Sequence, residues 1–378
     1  MLTGIRVVEL GSFITAPLAA MMLGDLGADV IKVERPEGDP FRRSHGGRYG
    51  ATFLAFNRNK RGVVLDTAKP ADREHLLALV ETADVLIDNY RPGVLAKIGL
   101  EPKALGQRCP RLIHCSVTGF GDSGPYRTRP AFDHVGQALS GITSLLVDPA
   151  RPEAFGPTLS DNVTAMYAAY GVLGALVERH ATGTGRRLEI NMLEASMAFI
   201  QDIFMGLTRT GQVSGKYTRI TRSQAFVLTC ADGRMLAIHL STTEKFWGEL
   251  VAALGKPALG TDARFATHQA RVKHYHELAA TLQEHFGTRS RGQWMALLDS
   301  TDVPFSPVNT VADALVDPQV EALGTLARMV HPSEGEVKGI ASPVLVDGGR
   351  PLREMRAPPL IGEHTAEILA ELDARRKS

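Results

Sequence analysis

The stretch "IRVVELGSFITAPLAAMMLGDLGADVIKVE" (residues 5–34) reads as strand, helix, strand. Residues 5–10 and 29–34 are short runs rich in Val and Ile, whereas 16–26 is a helical segment rich in Ala, Met and Leu. A strand that returns to a parallel neighbour through a helix is the repeating unit of an α/β sheet. The alternation continues with "GVVLD" (62–66), a helix over 70–82, "DVLIDN" (84–89) and "LIHCSV" (112–117). In "PTLSDNVTAMYAAYGVLGALVERHATGTGRRLEINM" (157–192) the pattern predicts a helix over 162–178, a glycine turn and one more strand. No charge falls between Asn162 and Leu176, so this helix is expected to be buried around most of its circumference.

The rhythm changes after about residue 195. Residues 224–240 read as two strands around an Asp-Gly turn, followed by helical segments at 243–254, 272–286 and 291–299, and the chain ends in an amphipathic helix. A chain of 378 residues exceeds what one core usually organises. The expected organisation is an α/β, Rossmann-like large domain over 1–195, a linker over 196–221 and a smaller α+β domain over 222–325. Residues 326–378 then form a return linker and a C-terminal helix packing on the large domain.

Composition narrows the function. The 42 Lys and Arg nearly cancel the 41 Asp and Glu, which argues against nucleic acid or an anionic membrane as a partner and favours a small molecule. No apolar run approaches a membrane span, and the N-terminus enters a strand without signal-peptide regions, so a cytoplasmic protein is expected. Cys109, Cys115 and Cys230 lack metal-ligand spacing and read as reduced thiols, with no metal implied.

Glu34 closes the second strand as the ribose-binding acid of a dinucleotide fold would. However, the first loop, "GSFITAP", has one glycine where G-x-G-x-x-G is required, and no P-loop occurs. A dinucleotide oxidoreductase is thereby disfavoured. At the carboxyl ends of the strands stand Arg35, Asn89 and Tyr90, with Lys97 in the following helix, a set able to hold an adenine ring and phosphates or to serve as ordinary surface contacts. "NRNKR" (57–61) precedes a strand and is expected to be a solvated turn. Cys115, within a strand, reads as inert packing. Asp161 has two readings: with Ser160 it is a helix-capping pair, or it is an ionised nucleophile at the positive end of a buried helix. On local sequence alone the cap is the reading taken.

The ordered phrases "LGDLGADVIKVERPEGD", "FNRNKRGVVLD", "ADVLIDNYRPGVLAKIGL", "PRLIHCSVTGFGDSGP", "AFDHVGQALSG", "SDNVTAMYAAYGVLGAL", "TGTGRRLEINMLEASM", "VPFSPVNTVADALVDPQV" and "APPLIGEHTAEIL" resemble the class III CoA-transferases along almost the whole chain. Formyl-CoA transferase, carnitine CoA-transferase and succinyl-CoA:glutarate CoA-transferase belong to that family. The resemblance implies transfer of CoA from an acyl-CoA to a carboxylic acid, with coenzyme A as substrate, no tightly bound cofactor, and a homodimer of interlocked ring-like chains. It implies Asp161 as nucleophile, Asp133 as an acidic active-site position, and CoA contacts at Arg35, Leu65, Asn89, Tyr90 and Lys97, with Phe13 as a backbone contact near the reaction centre. A family lysine is displaced, Ala68 taking its place beside Lys69, and the polar first-loop residues of formyl-CoA transferase are replaced by Ser12 and Ile14.

An α-methylacyl-CoA racemase is the alternative within the family. Its histidine before the aspartate is here Phe132, with His134 on the other side, and its small-domain glutamate aligns with Thr243 beside Glu244. Arg219 and Arg222, in "GKYTRITRSQAF", either recognise a second substrate carboxylate or are solvated linker charges.

Overall fold

The structure is a computed structural model and describes residues 1–46, 49–241, 244–352 and 354–377. It divides into two compact units, one of residues 1–143, 155–204 and 323–378, the other of residues 144–154 and 205–322.

The first unit is built on six parallel strands, β1 (Arg6–Leu10), β2 (Asp29–Glu34), β3 (Lys60–Val64), β4 (Val85–Asp88), β5 (Ile113–Thr118) and β6 (Arg187–Asn191), in the order β3-β2-β1-β4-β5-β6. The order reverses between β1 and β4, and sheets of this kind bind ligands at the carboxyl ends of the strands beside that reversal. Helices α1 (Thr15–Asp25), α2 (Ala51–Phe56), α3 (Pro70–Glu81), α4 (Val94–Lys97), α5 (Pro102–Arg108), α6 (Asp133–Ser140), α7 (Ile142–Leu146), α8 (Leu159–Thr182) and α9 (Met192–Phe199) lie between or after the strands.

Both sheet faces are covered, which explains why β1, β2, β4 and β5 are buried along nearly their whole length. On one face Val7, Val30, Val85, Ile87, Ile113 and Cys115 pack under α1 and α8, whose facing residues are Ala16, Ala19, Ala20, Ala165, Ala168 and Ala175. Alanine on both sides lets the two helix backbones approach closely. On the other face Val8, Ile31, Val33, Val63 and Leu86 meet Leu76, Leu79 and Val80 of α3, and the C-terminal helix Thr365–Lys377 adds Ile368 and Leu372.

Two expectations need correction. Helix α8 spans 159–182 rather than 162–178, and one side of it is not buried: Met166, Tyr170 and Val177 are 57%, 74% and 75% exposed. The basic run "NRNKR" is not a solvated turn, because all five residues are buried and the strand begins at Lys60 instead of 62. Each charge there has a partner. Arg58 and Asn59 hold Asp25, Lys60 reaches Glu9 at 2.7 Å, and Arg61 joins Asp29, Glu367 and Glu371. Residues 196–221 are largely helical, in α9, α10 (Gln201–Thr210) and α11 (Thr218–Ser223).

The second unit has its own core. A three-stranded antiparallel sheet of β7 (Ala225–Thr229), β8 (Met235–His239) and β9 (Phe305–Pro307) packs Phe226, Leu236 and Ile238 with Trp247, Leu278, Phe286 and Trp294. These helical residues belong to α12 (Glu244–Leu254) and to Tyr275–Phe286 and Arg291–Leu298. The helix expected over 272–286 is broken at His274, with His268–Lys273 preceding it. Among the described residues no helix is long and apolar enough to cross a membrane.

Candidate active site

A cleft of about 550 Å³ opens at the carboxyl edge of the sheet, where the strand order reverses. It is lined by the loop after β1 (Gly11 to Thr15), by Arg35 after β2, by Asn89 to Pro92 after β4, by Thr118 and Gly119 at the end of β5, and by Phe132, Asp161 and Met192.

The first loop turns sharply into α1. Gly11 is required there, since an added Cβ would lie 2.5 Å from that of Ala16. Phe13 sits in the left-handed region at φ 67°, costly for a residue with a Cβ. Its ring meets Phe41 and Phe132 edge-to-face at 5.2 and 6.0 Å.

Asp161 enters from the first turn of α8. Neither Ser160 nor Asp161 is the cap: the helix begins after Thr158, whose side chain makes no capping bond. The Ser160 hydroxyl is fully buried, 2.7 Å from that of Ser196 on α9. The Asp161 N–H instead donates to Asp133 Oδ1 at 3.1 Å, so a carboxylate from α6 satisfies one of the free amides that begin α8. Gly136 permits this arrangement. A Cβ there would meet Met192 Sδ at 2.5 Å and Ser160 Cβ at 3.1 Å, so only glycine lets α6 press against α8 and α9. Burial, and then the negative charge of Asp133, push the Asp161 carboxyl up to about 7, in contrast to the fully ionised group expected from the helix start alone.

Of the expected CoA contacts, Phe13, Arg35, Asn89 and Tyr90 line the cleft. Arg35 is exposed, and burial raises the Tyr90 phenol above its ordinary value. Leu65 is instead a core residue, its side chain 2% exposed within the layer under α3. Lys97 is exposed on α4 and does not line the cleft. Arg219 and Arg222 lie exposed on α11 of the second unit.

Three further arginines, Arg91, Arg127 and Arg129, also line the cleft. Arg129 lies over the Tyr126 ring at 3.9 Å, and among the described residues none of these arginines, nor Arg35, forms an ion pair. The signal was present in "YRTRP" (126–130), two arginines in a Gly/Pro loop directly before "AFDHV". Glu34 lines the cleft but is buried and held by Arg42 with bonds of 2.7 and 2.6 Å, so its carboxylate is already committed.

The groups that a racemase would need are differently disposed. Phe132 places a phenyl ring in the cleft where the histidine would stand, and His134 is exposed with its Nε2 2.7 Å from the Phe155 carbonyl. Thr243 lies outside the described residues. Neighbouring Glu244 is paired with Arg271 at 2.9 Å. Cys115 is fully buried, and burial pushes its thiol up to about 12, consistent with packing. No group of three His, Cys, Asp or Glu gathers as a metal site among the described residues.

The comparisons with known proteins cover this whole arrangement. A succinate–glutarate CoA-transferase of Agrobacterium fabrum is 33% identical, with 98% of this chain and 96% of that protein aligned. A succinyl-CoA–D-citramalate CoA-transferase of Chloroflexus aurantiacus is 32% identical over 98% of this chain and 94% of its own. The crystal structure of a CAIB/BAIF family protein from Brucella suis superposes with a TM-score of 0.86 at 34% identity, covering 98% and 99% of the two chains. Residues 2–365 match the model of CoA-transferase family III, and the chain belongs to that family.

Proposed function

We propose that Asp161 is the nucleophile of a CoA transfer between an acyl-CoA and a free dicarboxylic acid. As a family III CoA-transferase the enzyme moves CoA from a thioester to a carboxylate. The observation that carries the assignment of Asp161 is its place: a part-buried carboxylate in the switch-point cleft, on the first turn of α8, bound at its own amide by Asp133.

In the proposed cycle the Asp161 carboxylate attacks the thioester carbonyl and expels CoA thiolate, leaving an aspartyl mixed anhydride. The thiolate attacks the aspartyl carbonyl, releases the donor acid and forms an aspartyl–CoA thioester. The acceptor carboxylate displaces the thiolate to give a second anhydride, and the thiolate then attacks the acceptor's acyl carbonyl, freeing Asp161. Thioester energy is conserved throughout, so no nucleotide hydrolysis is coupled to it. Backbone N–H groups around the cleft stabilise the developing oxyanions.

Arg35 and Tyr90 hold CoA, with Arg91, Arg127 and Arg129 supplying positive charge for its phosphates. A dicarboxylate preference is supported by the names of the relatives and by Arg219 and Arg222, which would meet a second carboxylate. The functional assembly in this reading is a cytoplasmic, interlocked homodimer of Rossmann-like chains. The exposed apolar residues Met166, Tyr170 and Val177 on α8 support a partner surface there.

The test is trapping: succinyl-CoA with hydroxylamine should modify Asp161 alone by peptide mapping, and Asp161→Ala should abolish exchange with the fold intact. An adduct on another residue, or normal turnover of the variant, refutes the assignment.

A further inference from the structure

The family resemblance makes Asn89 a CoA contact, but its side chain is occupied elsewhere. Its Oδ1 accepts the Ser12 N–H at 3.0 Å, and its Nδ2 donates to the Ser12 carbonyl at 2.7 Å and to Thr15 Oγ1 at 3.0 Å. Both amide hydrogens are thus spent on the first loop, since a primary amide has only two to donate.

The residue held between these bonds is Phe13, in its left-handed conformation. A non-glycine residue there stays only where its surroundings over-determine it. In a trans peptide the carbonyl and the following N–H point opposite ways. Tying the Ser12 carbonyl to Asn89 therefore turns the Phe13 N–H away from Asn89, and no acceptor takes it among the described residues. The same constraint sets the Phe13 ring against Phe41 and Phe132 at the cleft wall that Asp161 shares.

We propose that Asn89 is a positioning residue for acyl transfer, clasping Ser12 and Thr15 so that the Phe13 backbone and ring are fixed on the wall of the cleft that Asp161 also lines, rather than a ligand of CoA. This rests on the reading of Asp161 as nucleophile. Misplacement of groups around a reacting centre lowers the rate of the chemical step more than it lowers affinity for a remote part of the substrate.

The test uses Asn89→Asp, which keeps the shape and the acceptor for Ser12 N–H but sets an oxygen against the Ser12 carbonyl. Asp161 acylation by succinyl-CoA with hydroxylamine present, measured in single turnover at saturation, should slow about 100-fold. The CoA dissociation constant by calorimetry should change by less than about 3-fold, less than the loss of one hydrogen bond. With 4-fluorophenylalanine at position 13, the 19F resonance of the clasp variant should shift or broaden. Thr15→Val removes one bond of the three and should slow acylation about 5-fold. If Asn89→Asp does not fold, Thr15→Val decides, and an unchanged rate there overturns the proposal. CoA binding weakened tenfold or more with acylation at saturation intact overturns it in favour of direct contact. An adduct mapping away from Asp161 in the wild type refutes the nucleophile assignment, whereas undiminished acylation of Asp161 in Asn89→Asp refutes the role of Asn89.

Discussion

Asp133 Oδ1 accepts the backbone N–H of Asp161 at 3.1 Å, so one carboxylate fixes the start of the helix that presents the other. The two acids are coupled through geometry as well as charge. Asp133 holds Asp161 in place and, being negative, also opposes its ionisation.

The first consequence is kinetic. In the proposed mechanism only ionised Asp161 attacks, so kcat/KM should rise with pH and level off above an apparent pKa near 7. Asp133→Asn retains an acceptor for the Asp161 N–H and removes the like charge. Its acidic limb should move to lower pH without returning to 3.8, because burial is the larger cause and persists. A pH–rate profile that does not move rejects electrostatic coupling of the pair.

The second is thermodynamic. A carboxyl raised from 3.8 to about 7 on folding favours the native state at low pH, and that contribution is lost as pH rises between those values. Asp161→Asn should therefore be more stable than wild type at pH 8, with the difference vanishing near pH 4. The rise sets an upper limit of about 4 kcal/mol, and solvent reaching a part-buried group reduces the expected gain to about 1–2 kcal/mol. Thermal unfolding at the two pH values measures it, and equal stability at pH 8 contradicts the burial cost.

The third separates two expected CoA contacts. Arg35→Ala should weaken CoA binding by about 1.5–3 kcal/mol and flatten its salt dependence, whereas Lys97→Ala, off the cleft, should cost less than about 0.5 kcal/mol. Calorimetry at two salt concentrations checks the order, and a larger loss for Lys97 reverses it.

The fourth concerns the alternative reaction. A chiral 2-methylacyl-CoA incubated in deuterated water should keep its α-proton, because Phe132 occupies the position of the racemase base and His134 is bound to the Phe155 carbonyl. Rapid exchange would restore His134 as a candidate base.

The fifth tests the buried basic run. Asp25→Ala leaves Arg58 and Asn59 without their buried carboxylate and should destabilise the fold by about 3–5 kcal/mol in urea. Breaking the exposed Lys245–Asp302 pair should leave stability essentially unchanged.

What the sequence by itself determined was the α/β alternation of the first half, the glycine-poor first loop that speaks against dinucleotides, and the ordered phrases of the family. These are short-range properties: apolar period, turn chemistry and the order of residues along the chain. Only the tertiary structure decided which strands are neighbours, and so that the loop after β1 and the turn after β4 meet in one cleft, 77 residues apart between Ser12 and Asn89. It also decided the surroundings of each charge. "NRNKR" reads as solvated because five polar residues in a row carry no local sign of the acids that bury them, and Glu371 lies 310 residues beyond Arg61. Asp161 likewise reads as an ordinary cap, because the Asp133 carboxylate on its amide comes from another helix, 28 residues earlier in the chain. Ionisation and hydrogen bonding depend on distance in space, which the sequence fixes only through the complete fold.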